Sequence, residues 1–311
     1  MGAVMRGRPR LAAVGAVCTT DIYQVARIPP APAKVLATRA CRVVDGMAIS
    51  AACGFVRLGG AALVCARVGE DDEAADIRRS LAAEGLDVSG LHTVPTSRSS
   101  RAVVLLDGDG QRLVVPFHDP AVDASADWLP AAKLAAADMV HVDVRWPAGA
   151  ARALEIARAA GVRTMLDGDV GPREVLERLV PLADYAVFSD AGLLAFTGGD
   201  DVDAALGRVA ATHGGHVGAS CGAAGYRWVE AGRIRHVPAL PVDVVDTLAA
   251  GDIFHGALAL ALLEGDDVAA AAAFACAAAS LSCTRFGGRL GCPSRAEVDA
   301  AVAGARLADV R

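Results

Sequence analysis

Two aspartates bracket a run of small residues in the stretch "VDVVDTLAAGDIFHG", positions 242–256. Asp246 and Thr247 precede Leu248, Ala249, Ala250 and Gly251, and Asp252 follows them. A strand-like approach then gives way to an alanine-rich helical pattern. Small side chains at a helix start leave backbone N–H groups pointing into open space, where the helix dipole favours an anion. A carboxylate in that first turn can take a proton from a hydroxyl held beside the anion. The combination suits phosphoryl transfer, with the N–H groups holding the charge that develops and the carboxylate orienting or deprotonating the attacking alcohol. Asp246 or Thr247 before such a helix is also an ordinary amino-terminal cap. The stretch alone leaves both readings open.

The rest of the chain must supply the frame. Apolar strand-like runs alternate with helical patterns: 11–17, a helix over 47–58, 61–68, a helix over 71–84, then 139–142 with 148–160, 163–166 with 172–179, 185–188, a helix over 202–213, and 216–221. Such alternation predicts an α/β fold, a mainly parallel sheet covered by helices on both faces. Two stretches, about 22–45 and 91–118, carry strands without helices between them. The runs "RAVVLLD" and "RLVVPF" are joined by Gly108-Asp109-Gly110, a hairpin signal. These strands predict a small separate sheet over the carboxyl ends of the main strands, a lid on a single domain spanning 1–311.

Composition narrows the function. Among 311 residues 54% are hydrophobic and 21% charged, enough for a large core. The net charge of −6 comes without like-charge blocks, which argues against a nucleic-acid footprint or a polybasic membrane patch. Eight cysteines show no metal-ligand spacing and sit mostly in apolar runs, which points to a reducing cytoplasm. The start, "MGAVMRGRPRLAAVGAVCTTD", faintly mimics a signal peptide but lacks a cleavage site, so it reads as a first core strand. The uncharged segment 268–284 is short for a membrane span and reads as a buried helix.

With these parts in place, the sequence resembles the ribokinase-like (PfkB) sugar kinases, whose signature Asp-Thr-x-Gly-Ala-Gly-Asp opens a helix near the carboxyl terminus. Asp246, Thr247, Ala250, Gly251 and Asp252 match it. The segment "DGMAISAACGFVRLGGAALVCARVGEDDEA" (45–74) resembles the family's sugar-binding signature, "CGAAGYRWVEAG" (221–232) the segment beside the ATP phosphates, and "TRFGGRLGCP" (284–293) the loop closing the nucleotide site. The resemblance implies a three-layer α/β/α body with a β-sheet lid, ATP and Mg²⁺ as cofactors with K⁺ in some relatives, and a lid-mediated homodimer. Position by position it implies Asp252 as catalytic base and the backbone of Ala249, Ala250 and Gly251 as anion hole. Asp21, Gly46 and Ser50 would bind the sugar, and Arg145 would lie near the phosphates. Ser220, Gly222 and Gly225 would flank the nucleotide, with Cys276, Ala279 and Gly288 around the adenine. Asp246 with the 283–288 loop would hold a monovalent cation.

Several positions depart from the family pattern. Ala249 replaces a glycine, and Asp45 and Ser50 stand for the usual Gly and Asn. No Asn-x-x-Glu magnesium motif is visible, which leaves Asp167 and Asp169 as carboxylates for Mg²⁺ through water. The segments 142–169 and 251–267 look most like the ketohexokinase and sulfofructose kinase branch, so a ketose or ketose derivative is the expected acceptor. A nucleoside kinase on the same fold, which would need aromatic lid residues from Tyr23, Phe117 or His118, and a degenerate non-catalytic member are the alternatives.

Overall fold

The computed structural model describes residues 7–108, 111–122 and 125–308. Asp109 and Gly110 of the expected hairpin turn and the first six residues lie outside this range. Among the described residues the chain runs β1 (Arg10–Val14), β2 (Cys18–Gln24), β3 (Arg39–Asp45), α1 (Met47–Arg57), β4 (Ala61–Val68), α2 (Asp72–Ala83), β5 (Asp87–Thr93), β6 (Ser100–Leu106) and β7 (Arg112–Phe117). It continues α3 (Ala131–Ala135), β8 (Met139–Asp143), α4 (Pro147–Ala159), β9 (Arg163–Gly168), α5 (Arg173–Leu179), β10 (Tyr185–Ser189), α6 (Asp190–Thr197), α7 (Val202–Ala210) and β11 (His216–Ser220). The last elements are β12 (Tyr226–Glu230), β13 (Arg233–Val237), α8 (Ala250–Glu264), α9 (Val268–Ser282) and α10 (Arg295–Ala308).

Strands β13-β12-β11-β10-β9-β8-β1-β4-β5 form one large sheet in that order. Seven of them, β5 through β11 in that row, are mutually parallel, and only the β12–β13 hairpin runs against its neighbours. Alternation along each strand sends residues to two separate cores. On β1, Leu11 and Ala13 pack with α1, α8 and α9, while Ala12 and Val14 pack with α4 and its neighbours. These are the three layers that the alternating pattern predicts. Segment 268–284 becomes α9, fifteen residues against the core, and no helix among the described residues is long and apolar enough to cross a membrane.

A second sheet, β3-β2-β6-β7, stands apart from the first. β2 pairs antiparallel with β3 and parallel with β6, and β7 returns antiparallel along β6. Its first strand begins at Cys18, ahead of the expected boundary at 22, because the chain breaks at Gly15 and re-enters a strand at once. β5 lies partly within the second expected excursion, yet it pairs with β4 at the edge of the large sheet. The inner face of the small sheet buries Ile22, Val43, Val104 and Leu106 against Leu248 and Phe286, two residues from loops of the main body.

The large sheet reverses its winding between β1 and β8, since β1 crosses to β4 over one face and β8 crosses to β9 over the other. A crevice opens there at the carboxyl ends of the strands. Helices α1 and α8 meet beside it at almost no separation: a Cβ on Gly256 would lie 2.2 Å from Ala51 O.

Candidate active site

Helix α8 starts from an unusual residue. Ala249 holds φ 62° and ψ 9°, the left-handed conformation that glycine adopts without penalty. This geometry turns the chain sharply out of the Asp246–Leu248 loop and leaves the N–H groups of Gly251 and Asp252 in the first turn, where no helical partner exists for them. Asp252 sits half-buried in that turn. Burial pushes its carboxyl well above the usual carboxylate range, and Asp167, Asp45, Asp143 and Asp169 push it further.

The crevice in front of this turn is a cleft of about 720 Å³. Of the residues expected to act, Gly46, Arg145, Asp167, Ser220, Ala249, Gly251 and Asp252 line it. Asp167, next to last in β9, is almost wholly buried, and its carboxyl is raised by burial and by Asp169 and Asp143. Arg145 pairs with Asp169 at 2.9 Å, and Ser189 Oγ donates to the other oxygen of Asp169 at 2.9 Å. Ala250 belongs to the same turn as its lining neighbours.

Other expected residues stand elsewhere. Asp21 does not reach the cleft. On β2 the inward positions are Thr20 and Ile22, so Asp21 faces out, held by Arg42 through bonds of 2.8 and 2.9 Å that keep its carboxyl below the usual range. Ser50 is buried in α1 and donates to Asp45 Oδ1 at 2.5 Å, so it positions the carboxylate that lines the cleft in its stead. Gly222, Gly225, Cys276, Ala279 and Gly288 do not line the cleft either. Cys276 faces the core beside Val237 O, its thiol pushed up to about 12 by burial. Gly225 packs where a Cβ would meet Val237 O at 2.1 Å.

Asp246, expected beside a monovalent cation, is engaged by backbone donors. Its Oδ2 accepts the N–H groups of Gly287 and Gly288, each at 2.9 Å, and its Oδ1 accepts that of Leu248 at 2.8 Å. Three backbone donors engage both oxygens, so this carboxylate joins two loops rather than presenting a bare face to a cation.

Behind the cleft lining lie buried polar residues that the motifs did not single out. Asp143 ends β8 fully buried. Its carboxylate accepts the N–H of Ala48 at 3.1 Å, capping α1, and that of Arg145 at 2.8 Å. A Cβ on Gly15 would fall 2.0 Å from Asp143 Oδ2, so only glycine leaves room for it. The alternation of "VHVDV" puts His141 and Asp143 on one face, the signal by which both were findable. His141, Asp167 and His255 bring one ligand-type atom each within 4.8 Å of one another. Two imidazoles suit borderline transition metals and not Mg²⁺. His255 already turns Nδ1 to Gly251 O at 2.8 Å and Nε2 to Val187 O at 3.3 Å.

Comparison with known proteins follows the same lines. A family model described as pfkB family carbohydrate kinase matches residues 8–295. A ribokinase of Bacillus subtilis (strain 168) is 28% identical over 287 residues, spanning 91% of this chain and 96% of its own. A fructokinase of Klebsiella pneumoniae is 30% identical over 229 residues, 68% of this chain and 75% of that one. The crystal structure of a provisionally named ribokinase from Agrobacterium tumefaciens matches with a TM-score of 0.92 at 38% identity, covering 96% of this chain and 98% of that chain. A ribokinase of Arabidopsis thaliana, solved with ribose and ATP, shares the fold with a TM-score of 0.80 at 23% identity, over 95% and 99% of the two chains. With the family model spanning nearly all of the described residues, the chain belongs to the pfkB family of carbohydrate kinases, phosphotransferases whose acceptor is an alcohol group.

Proposed function

We propose that this kinase transfers the γ-phosphoryl group of ATP to a hydroxyl of a ketose or ketose derivative, with Asp252 as general base. One observation carries the reading: a half-buried carboxylate stands in the first turn of α8, and the unpartnered N–H groups of that turn face the same cleft. The acceptor hydroxyl gives its proton to Asp252 as its oxygen bonds to phosphorus, and the bond from phosphorus to the bridging oxygen of ADP breaks. The turn Ala249–Gly251 faces the oxygens of the group in flight, compensating their charge without reorganising. Asp143 fixes the first turn of α1, and Ser50 fixes Asp45, so the acceptor side is preorganised from below.

The residues present fit Mg²⁺ bound with ATP. Asp167 is buried among like charges with its carboxyl raised, which is a carboxylate short of a cation. Mg²⁺ supplies neutralisation of phosphate charge when bound, and Asp167 would hold it through water. A monovalent ion near Asp246 would have to use carbonyl groups of the 283–288 loop, because the carboxylate itself is engaged. The ketose preference rests on segments 142–169 and 251–267. The nucleoside alternative has Phe117 and His118 in the cleft but not Tyr23, which alternation turns outward. Dimerisation through the small sheet is supported by its outer face, where Tyr23, Val103, Leu113 and Val115 are exposed together.

Coupled ADP release with ATP and Mg²⁺, run against fructose, sulfofructose, ribose, deoxygluconate and nucleosides, tests the reading. Turnover of one ketose, abolished in Asp252→Asn, is the expected result. An Asp252→Asn enzyme as fast as the unchanged one would sink it.

A further inference from the structure

Three arginines line the cleft, and two of them are neutralised within the protein: Arg101 by Glu73 and Arg145 by Asp169, each at 2.9 Å. Arg112 has no carboxylate partner among the described residues. Its Nη1 lies 3.5 Å from Thr247 Oγ1, a weak contact for a group with five donors. Thr247 opens the turn that carries Leu248 and Ala249 into α8. The inner face of the small sheet is packed on that same turn through Ile22, Val104 and Leu248. The guanidinium therefore stands where the small sheet meets the rim of the anion cradle. Among the described residues β7 is the outermost strand of its sheet, bonded only to β6, and all six of its residues are exposed. Nothing in the packing of β7 fixes the Arg112 side chain against Thr247.

We propose that Arg112 is an anion-binding residue of the reaction cleft, which leaves Thr247 to engage an anionic oxygen group of the reactants above the start of α8. The proposal rests on the phosphoryl-transfer reading above. A guanidinium meets such a group with two parallel N–H···O bonds, which is stronger and more directional than its contact with a hydroxyl. Two sources present this chemistry in the cleft: the phosphoryl group in flight, and an acidic substituent on the sugar. In the first case Arg112 acts on every acceptor. In the second it selects acidic sugars.

The test compares kcat and KM of the unchanged enzyme, Arg112→Gln and Arg112→Lys on fructose and on fructose 6-phosphate, with Tm measured for each. If the phosphoryl group is the ligand, Arg112→Gln lowers kcat at least about 100-fold on both sugars with little change in sugar KM, and Arg112→Lys recovers part of the loss. If the sugar's acid group is the ligand, KM for fructose 6-phosphate rises at least about tenfold while fructose is untouched. Kinetics for Arg112→Gln equal to the unchanged enzyme on both sugars overturn the proposal and leave the kinase reading standing. Equal losses in both variants with a lowered Tm also overturn it, since that is a structural effect. Absence of ADP release by the unchanged enzyme with every sugar tried removes the reaction and this role with it.

Discussion

Asp246 Oδ2 accepts the Gly288 N–H at 2.9 Å, and through this bond the loop that leads into α8 is tied to the loop after α9. The same oxygen takes the Gly287 N–H, and the other takes that of Leu248. Asparagine cannot serve all three donors, because its NH₂ group would face one set of N–H groups. Asp246→Asn is therefore expected to cost about 2 kcal/mol of stability, nearly as much as Asp246→Ala, from unpaired buried donors. Urea denaturation of the two variants checks this, and an Asn variant matching the unchanged protein would count against it.

The left-handed Ala249 predicts a gain from substitution. An alanine in that region costs about 1–2 kcal/mol, offset in Ala249→Gly by the greater freedom of the unfolded glycine chain. The net expectation is a stabilisation of up to about 1 kcal/mol with activity kept or raised. A lower denaturation midpoint for Ala249→Gly would show that the backbone is not strained there.

Crowded carboxyls set a pH dependence. Burial and crowding hold Asp252 and Asp167 well above the ordinary carboxylate range, so the folded, ligand-free protein keeps protons that the unfolded chain has already released. Fewer protons bound in the unfolded state means that this contribution to stability falls as pH rises above about 4. Thermal melts from pH 4 to 8 without nucleotide should fall more steeply for the unchanged protein than for Asp167→Asn. Parallel curves would contradict the raised carboxyls.

Asp21 and Arg42 lie on the surface away from the cleft, with Arg42 largely exposed. Exposed pairs contribute about 0–1 kcal/mol. Asp21→Ala should leave sugar KM within about twofold and lower stability only slightly. A tenfold rise in KM would place Asp21 in contact with substrate after all.

Periodicity exposed the helices well. The run 47–58 becomes α1 over Met47–Arg57, and 268–284 becomes α9 over Val268–Ser282, because long apolar stripes leave little ambiguity. The strands near the amino terminus were harder to read. A single apolar run, 11–17, conceals the end of β1 at Val14 and the start of β2 at Cys18. The resemblance implies Asp21 as a sugar ligand, whereas the restart at Cys18 sets Thr20 and Ile22, one residue out of step with it, on the inward face. The β12–β13 hairpin gives little signal because its strands are only five residues each and β13 is almost wholly exposed, without an apolar face to alternate. Asp143 lacked a motif of its own, being a strand-end carboxylate whose value depends on Gly15 more than 100 residues away. The cluster at 249–252 was legible because backbone chemistry, small side chains and the carboxylate are contiguous there.

The close approach of Gly256 to Ala51 O has a consequence for how such an enzyme diversifies. The helix bearing Asp252 and the helix that follows Gly46 touch backbone to backbone, so neither can tilt or gain bulk without moving the other. Those parts are fixed together like the jaws of a die. Variation in what the enzyme accepts is left to the small sheet, whose outermost strand can exchange side chains at little cost to the body beneath it.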